Sequence, residues 1–267
     1  MSVARARPLL CSLLVAGAAA VAGCGSGAED TSAPSPAEPT GRVIFRGDFE
    51  SGNLGGWRLN DGDGLQLGGG PERLQVVTAP RRQGRYAGRF EVRAGDVWKS
   101  APGERTQACY DEFASEGQER SYRWSTRFTE DYPLDDRGFQ LWTQWHAKLT
   151  GPSQAPIQFM ARGDEIGMDV VASNERAQPT ERRSVWRGPM RRGQWQDFDL
   201  RVGWSSDPAR GYVELRVDGQ VVAARTPLAT LIPGYPNYVC QGLYRSDDIG
   251  ATAVLYHDGL TIRQTTG

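Results

Sequence analysis

The sequence predicts an all-β domain, an antiparallel β-sandwich of the concanavalin-like jelly-roll kind. Three observations predict it. Apolar side chains recur at every second position through most of the chain beyond residue 42. The 33 glycines and 16 prolines punctuate those runs, as reversals between short strands require. No stretch of ordinary helical length combines an apolar stripe with an N-cap and a C-cap.

Residues 1–23 carry Arg5 and Arg7, then an apolar run from Leu9 to Ala22, and end in Val21-Ala22-Gly23 before Cys24. A basic start, a short apolar stretch and small residues describe an export signal, too short for a good membrane span. Cysteine directly after Ala-Gly looks like a bacterial lipoprotein cleavage box. It implies an exported cell-surface lipoprotein that meets the membrane only through a lipid on Cys24; an ordinary secretory signal is the alternative. Residues 24–41 (CGSGAEDTSAPSPAEPTG) lack large apolar side chains and cannot offset their ordering entropy by burial, so they read as a flexible tether. Residues 42–267 then form one domain, expected to be a monomer.

Four cysteines occur. Cys11 lies in the signal and Cys24 at its end, which leaves Cys109 and Cys240. In an oxidising compartment these most simply form one disulfide, with two free thiols as the alternative. Formal net charge is −1, so no global field argues for nucleic acid. Lys99 and Lys148 are the only lysines. Arginine's planar fork suits carboxylate and sulfate groups, although a GC-rich genome produces the same bias.

Along the domain, "SYRWSTRF" places Tyr122, Trp124, Thr126 and Phe128 on one face of a strand. "DFDLRVGW" does the same with Phe198, Leu200, Val202 and Trp204. "YVELRVDGQVV" runs Val213, Leu215 and Val217 into Asp218-Gly219, a two-residue hairpin signal. A second pair, Asp258-Gly259, divides "AVLYH" from "LTIR" and makes His257 a turn residue.

"LWTQWHAKL" (141–149) holds His146, one of two histidines. As a strand, Phe139, Leu141, Thr143, Trp145, Ala147 and Leu149 share one face. Gln140, Trp142, Gln144, His146 and Lys148 share the other. Phe139, Trp142, Trp145 and Leu149 also fit a helical stripe, but the Thr-Gly-Pro break at 150–152 and the neighbouring strands favour the strand. Amides, an indole, an imidazole and an ammonium are poor core material, because each buried polar group needs a partner. They suit a sugar: the indole covers a ring face while the polar groups address hydroxyls and carboxylates. A structural histidine on a solvent-exposed sheet face is the alternative. In "RTQAC", Arg105, Gln107 and Cys109 alternate to one side; in "YVCQGLYR", Tyr238, Cys240, Gly242 and Tyr244 do. A Cys109–Cys240 bond would bring these faces together, and Arg245 adds a cation beside Tyr244.

"GDFESGNLGGW", "RRQGRYAGRFEVRAGD", "YRWSTRF", "FQLWTQWH", "RGQWQDFDLRVGWS" and "GLYR…VLYHDG" follow one another over about 45–265. In this order they resemble the bacterial polysaccharide lyase family that includes heparin lyase I and is similar to glucuronan lyases. The resemblance implies a jelly roll with a substrate groove across its concave sheet. It also implies cleavage of an acidic, uronate-containing polysaccharide by β-elimination. By resemblance, His146 and Tyr244 match the family's catalytic histidine and tyrosine, and Arg105 an arginine that binds acidic groups. Gln107, Gln144, Lys148, Trp142 and Arg245 are substrate-binding candidates around them. Two positions depart from heparin lyase I: Cys240 replaces a lysine four residues before the tyrosine, and Ile249 replaces a second tyrosine. The lost cation argues against a highly sulfated substrate.

Two other functions fit the composition. One is a non-catalytic carbohydrate-binding protein on the same fold. The other is a glycoside hydrolase, which needs two carboxyl groups facing each other across the scissile bond; the alternating Glu-x-Asp-x-x-Glu strand of laminarinase-like enzymes is absent. No cofactor is expected beyond a calcium ion that "DGDG" (61–64) could hold if those residues are more than a turn. Two histidines and one cysteine pair leave no zinc set.

Overall fold

The computed structural model describes residues 40–59, 64–99 and 101–266. The expected signal, Cys24 and nearly all of the tether lie outside the described residues, as do Asp61 and Asp63 of the acidic loop. Among the described residues fifteen strands follow in order. They are β1 (Arg42–Gly47), β2 (Leu65–Leu67), β3 (Leu74–Val77), β4 (Ala87–Val92) and β5 (Glu104–Ala114). Next come β6 (Glu119–Phe128), β7 (Gln140–Ala147), β8 (Ile157–Arg162), β9 (Glu165–Ser173) and β10 (Pro179–Pro189). The last five are β11 (Trp195–Gly203), β12 (Tyr212–Val217), β13 (Gln220–Pro227), β14 (Asn237–Arg245) and β15 (Ala253–Thr266).

These strands form two antiparallel sheets. One runs β13-β12-β11-β6-β15-β4-β3, with β1 also pairing β15; the other runs β10-β9-β8-β7-β14-β5-β2. The expected sandwich is therefore present, and the sequence order is heavily permuted within each sheet, as jelly rolls require.

The period-two readings hold where they were clearest. Tyr122, Trp124, Thr126 and Phe128 are all buried, as are Phe198, Leu200, Val202, Val213, Leu215 and Val217. Between the sheets Trp124 stacks on Phe198 at 5.2 Å, and Phe159 meets Trp124 edge-on at 5.2 Å. Each such ring removes a large apolar area from water, and its edge-to-face contacts add to that burial. The Asp218-Gly219 hairpin joins β12 to β13, both residues having positive φ (51° and 80°). That is the geometry a tight two-residue turn needs.

The second Asp-Gly pair does not turn the chain. β15 runs straight through Asp258 and Gly259, and the register against β6 slips between Asp258 and Thr261. Gly259, at φ 70°, absorbs the extra residue as a bulge. The Asp258 carboxylate accepts the backbone N–H of Arg82 (2.6 Å) and Gln83 (3.0 Å), pinning a distant loop that covers it. His257 is accordingly a core residue rather than a turn residue. Its Nε2 donates to the Trp142 carbonyl at 3.0 Å, and Nδ1 lies 3.0 Å from the Thr126 hydroxyl. Burial drives its pKa down to about 3.

Candidate active site

Three neighbouring strands, β5, β14 and β7, carry the candidate residues. Across β14 and β5 the register sets Tyr244 opposite Arg105, Gly242 opposite Gln107 and Cys240 opposite Cys109. Across β14 and β7 it sets Cys240 opposite Gln144 and Tyr238 opposite His146. Cys109 and Cys240 are disulfide-bonded, closing a sequence separation of 131. Since paired residues share a sheet face, Arg105, Gln107, Gln144, His146, Tyr238 and Tyr244 all project from one side, the face turned away from the aromatic core.

At one end of this trough Arg105 lies over the Tyr244 ring, 3.9 Å from its centroid, with Trp98 at 5.9 Å. Its fork is oriented by two acceptors, Gln66 Oε1 at 3.2 Å and the Pro102 carbonyl at 3.0 Å. Burial pulls the guanidinium below its ordinary pKa, so an anion arriving here meets a charge with little water to compete. The floor is made by the disulfide, by Gln144 donating to Gln107 Oε1 at 3.2 Å, and by Gly242. Gly242 has φ 124°, and a Cβ there would fall 2.2 Å from the Thr106 carbonyl oxygen, so only glycine fits.

At the other end stands His146, whose ring centroid is 5.6 Å from that of Tyr238. Its Nδ1 lies 3.0 Å from the Ala147 carbonyl. Burial lowers its pKa, the Ala147 and Ser153 carbonyls oppose that, and the Arg105 charge adds a smaller lowering. The ring is therefore neutral near pH 7 and available to accept a proton. Lys148 extends this face, its ammonium ion-paired with Asp111 and 5.5 Å from the Phe113 ring.

Two candidates fall elsewhere. Trp142 is not on the trough. The pairing of β7 with β8 slips between Leu141 and Thr143, and this bulge inverts the alternation upstream. Trp142 and Gln140 turn into the core; the Trp142 indole packs against Phe159 (5.1 Å) and Phe128 (5.6 Å). Arg245 is also buried, one step out of phase with Tyr244. Its Nε and Nη2 each lie 2.8 Å from Glu104 Oε2, and Nη1 donates to Ala251 O, so it ties β14 to β5 instead of meeting substrate.

Tyr238 was not among the expected site residues, yet it is the phenol that adjoins His146. The alternation in "YVCQGLYR" puts it on the same face as Tyr244, but the strand register that sets it opposite His146 is a tertiary fact. Gln66, which aims Arg105, likewise comes from a short strand distant in sequence. Among the described residues no group of three His, Cys, Asp or Glu side chains could hold a metal ion. The calcium expectation falls largely on Asp61 and Asp63, outside the described residues.

This arrangement places a guanidinium, amides, two phenols and an imidazole on the outer face of one sheet of a jelly roll. The chain matches the polysaccharide lyase family over residues 49–261 and belongs to it. Among solved structures it is similar to endo-β-1,4-glucuronan lyase from the fungus Trichoderma reesei, with 18% identity and a TM-score of 0.67 over 84% of this chain and 96% of that one. It is also similar to alginate lyase A1-II′, a member of polysaccharide lyase family 7, with 13% identity and a TM-score of 0.57 over 76% and 94%. The catalytic domain of a glycoside hydrolase family 131 protein from Coprinopsis cinerea shares the fold too, with 14% identity and a TM-score of 0.59 over 84% and 95%. No curated protein matches the chain in sequence.

Proposed function

We propose that this lyase cleaves a uronate-containing polysaccharide by β-elimination, with the reacting sugar seated on Arg105 and Tyr244. The single observation that carries this reading is that a guanidinium stacked on a phenol shares one face of three adjacent strands with a neutral imidazole. β-Elimination removes the proton at C5, forms the C4–C5 double bond and expels the oxygen at C4, which takes up a proton. The neighbouring carboxylate opposes charge build-up at C5, so its neutralisation lowers the barrier. Arg105 supplies that neutralisation; a carboxylate on its fork brings C5 toward the Tyr244 hydroxyl. Tyr244 and His146 supply the base and the acid, and no cofactor enters the scheme. The disulfide stands where heparin lyase I carries a lysine, which supports a carboxylated over a heavily sulfated polymer.

Incubation of the purified domain with glucuronan, alginate and heparan tests this reading. The expected product is a 4,5-unsaturated uronate, read by its ultraviolet absorbance; no release from any acidic polymer refutes it. The loss of the floor cation favours a second reading, a glycan-binding protein without turnover. Glycan retention unchanged in His146→Ala and Tyr244→Phe, with no product from the wild type, would select it. The basic, apolar and Ala-Gly-Cys start of the chain supports export and lipid attachment at Cys24, with a monomeric domain on its tether. Incorporation of labelled palmitate, abolished by Cys24→Ala, tests the anchor.

A further inference from the structure

The trough does not stop at β7. Read across the sheet, the pairings align Arg105, Tyr244, Leu141, Met160, Gly167 and Arg187 in one row from β5 to β10. The adjacent row runs Cys109, Cys240, Gln144, Gln158, Asp169 and Ser184. At the far end lies a cavity of about 500 Å³ lined by Met160, Asp169, Arg182 and Arg187, with Phe139 on its near wall. Phe139 is in edge contact with Tyr244, their ring centroids 4.8 Å apart, so cavity and catalytic trough share a wall.

The cavity is built around a buried carboxylate. Asp169 is 4% exposed and accepts from both Arg182 (3.0 Å) and Arg187 (2.5 Å). Arg182 is held further by Gln158 Oε1 at 3.2 Å and Gln154 Oε1 at 2.6 Å. Arg187 donates also to the Trp186 carbonyl at 2.8 Å and lies flat across Gly167, where a Cβ would fall 2.4 Å from its Nη1. Two guanidiniums against one carboxylate leave a net positive charge, since the rim residues Arg162 and Glu165 offset each other. Both arginine side chains keep about 40% of their surface exposed, at 43% and 40%. Donors that a buried acid has already oriented lose little freedom on meeting a further anion.

Resting on the lyase reading above, we propose that Arg182 and Arg187, preset by Asp169, form a distal subsite for a sugar carboxylate of the bound polymer. The row places it four strand spacings from Tyr244, roughly 19 Å, so its occupant is a unit several sugars from the one being cut.

Gel retardation in immobilised acidic polysaccharide, with a neutral glucan as control, tests the subsite by binding. Polymer and trisaccharide kinetics test it by turnover. Arg187→Ala is expected to reduce retardation by the acidic polymer and raise its KM about three- to tenfold, as losing one partly solvent-exposed polar contact does. Its kcat, trisaccharide turnover and retention by neutral glucan stay as in the wild type. Gly167→Ala, which displaces Arg187, shifts the same quantities in the same direction by less. Unchanged retardation and polymer KM, or equal losses on the trisaccharide or the neutral glucan, would overturn the proposal. Should the wild type release no unsaturated uronate, the lyase reading fails, while the retardation measurement still decides the subsite.

Discussion

The two histidines lie in opposite sheets and meet opposite surroundings. His257 projects from β15 into the space between the sheets, is fully buried, and has both ring nitrogens in hydrogen-bond contact with protein. His146 projects from β7 to the outer face beside Tyr238, under the electrostatic reach of Arg105. Burial lowers the pKa of both. A neutral ring is therefore no sign of catalysis. The difference lies in what the ring can meet: His257 touches only the core, whereas His146 is partly exposed on the outer face of its sheet. The bulge in β7 links the two. It turns Trp142 inward, and His257 then takes the Trp142 carbonyl from the opposite sheet.

That contrast breaks most visibly at the outer histidine. His146→Ala and Tyr244→Phe should each lower turnover about 10²- to 10⁴-fold, the range for losing a proton-transfer group, with melting temperature nearly unchanged. A large fall in melting temperature for His146→Ala would move it into the structural class with His257. Next in size is the trough floor. Cys109→Ser with Cys240→Ser releases a cross-link closing 131 residues and should cost about 3–5 kcal/mol in denaturant unfolding. His257→Ala removes a buried ring and two hydrogen bonds and should cost about 2–4 kcal/mol, while the protein that remains folded keeps its turnover per molecule.

The smallest net effect concerns pH, because adjacent residues oppose one another. The folded pKa of His257, about 3, lies below its ordinary 6.5. Its contribution is complete above pH 6.5 and declines as pH falls toward 3, by up to about 1.4 kcal/mol per unit. Asp258 is pushed the other way, from 3.8 to about 6, chiefly by burial. Its contribution is complete below pH 3.8 and is lost as pH rises through 6. Between pH 4 and 6 these two slopes offset one another, and Glu112, raised from 4.5 to about 7 chiefly by burial, adds a decline of stability with rising pH. Compared with the wild type in thermal melts, His257→Gln should steepen that decline and Asp258→Asn should flatten it. Parallel profiles for both variants would remove the opposition.

Much of the architecture was legible because strand alternation is local. "SYRWSTRF" and "DFDLRVGW" each state their buried face within eight residues, and Asp218-Gly219 states its turn in two. The shared face of His146, Arg105 and Tyr244 was legible for a related reason: they sit in alternating segments whose polar side is too rich in hydrogen-bonding groups for a core, while the roles proposed for them rest on the resemblance to the lyase family. The misplacements of Trp142 and His257 share one cause. Bulges at Leu141–Thr143 and near Asp258–Gly259 each insert a residue, and a single inserted residue inverts the parity on which alternation depends. Trp142 was therefore assigned to the wrong face and His257 to a turn. Arg245 went wrong by adjacency, since the neighbour of an outward tyrosine on a strand points inward.

The sequence by itself determined the β class, the cysteine pair and which polar residues alternate to a shared strand face, because composition and period-two patterning act over a few residues. Only the tertiary structure decided that Tyr238 adjoins His146, that Gln66 aims Arg105, and that Arg187 shares a row with Tyr244. Those relations depend on strand order and register across the sheet, and register is set by the packing of one whole face against the opposite sheet rather than by any single segment.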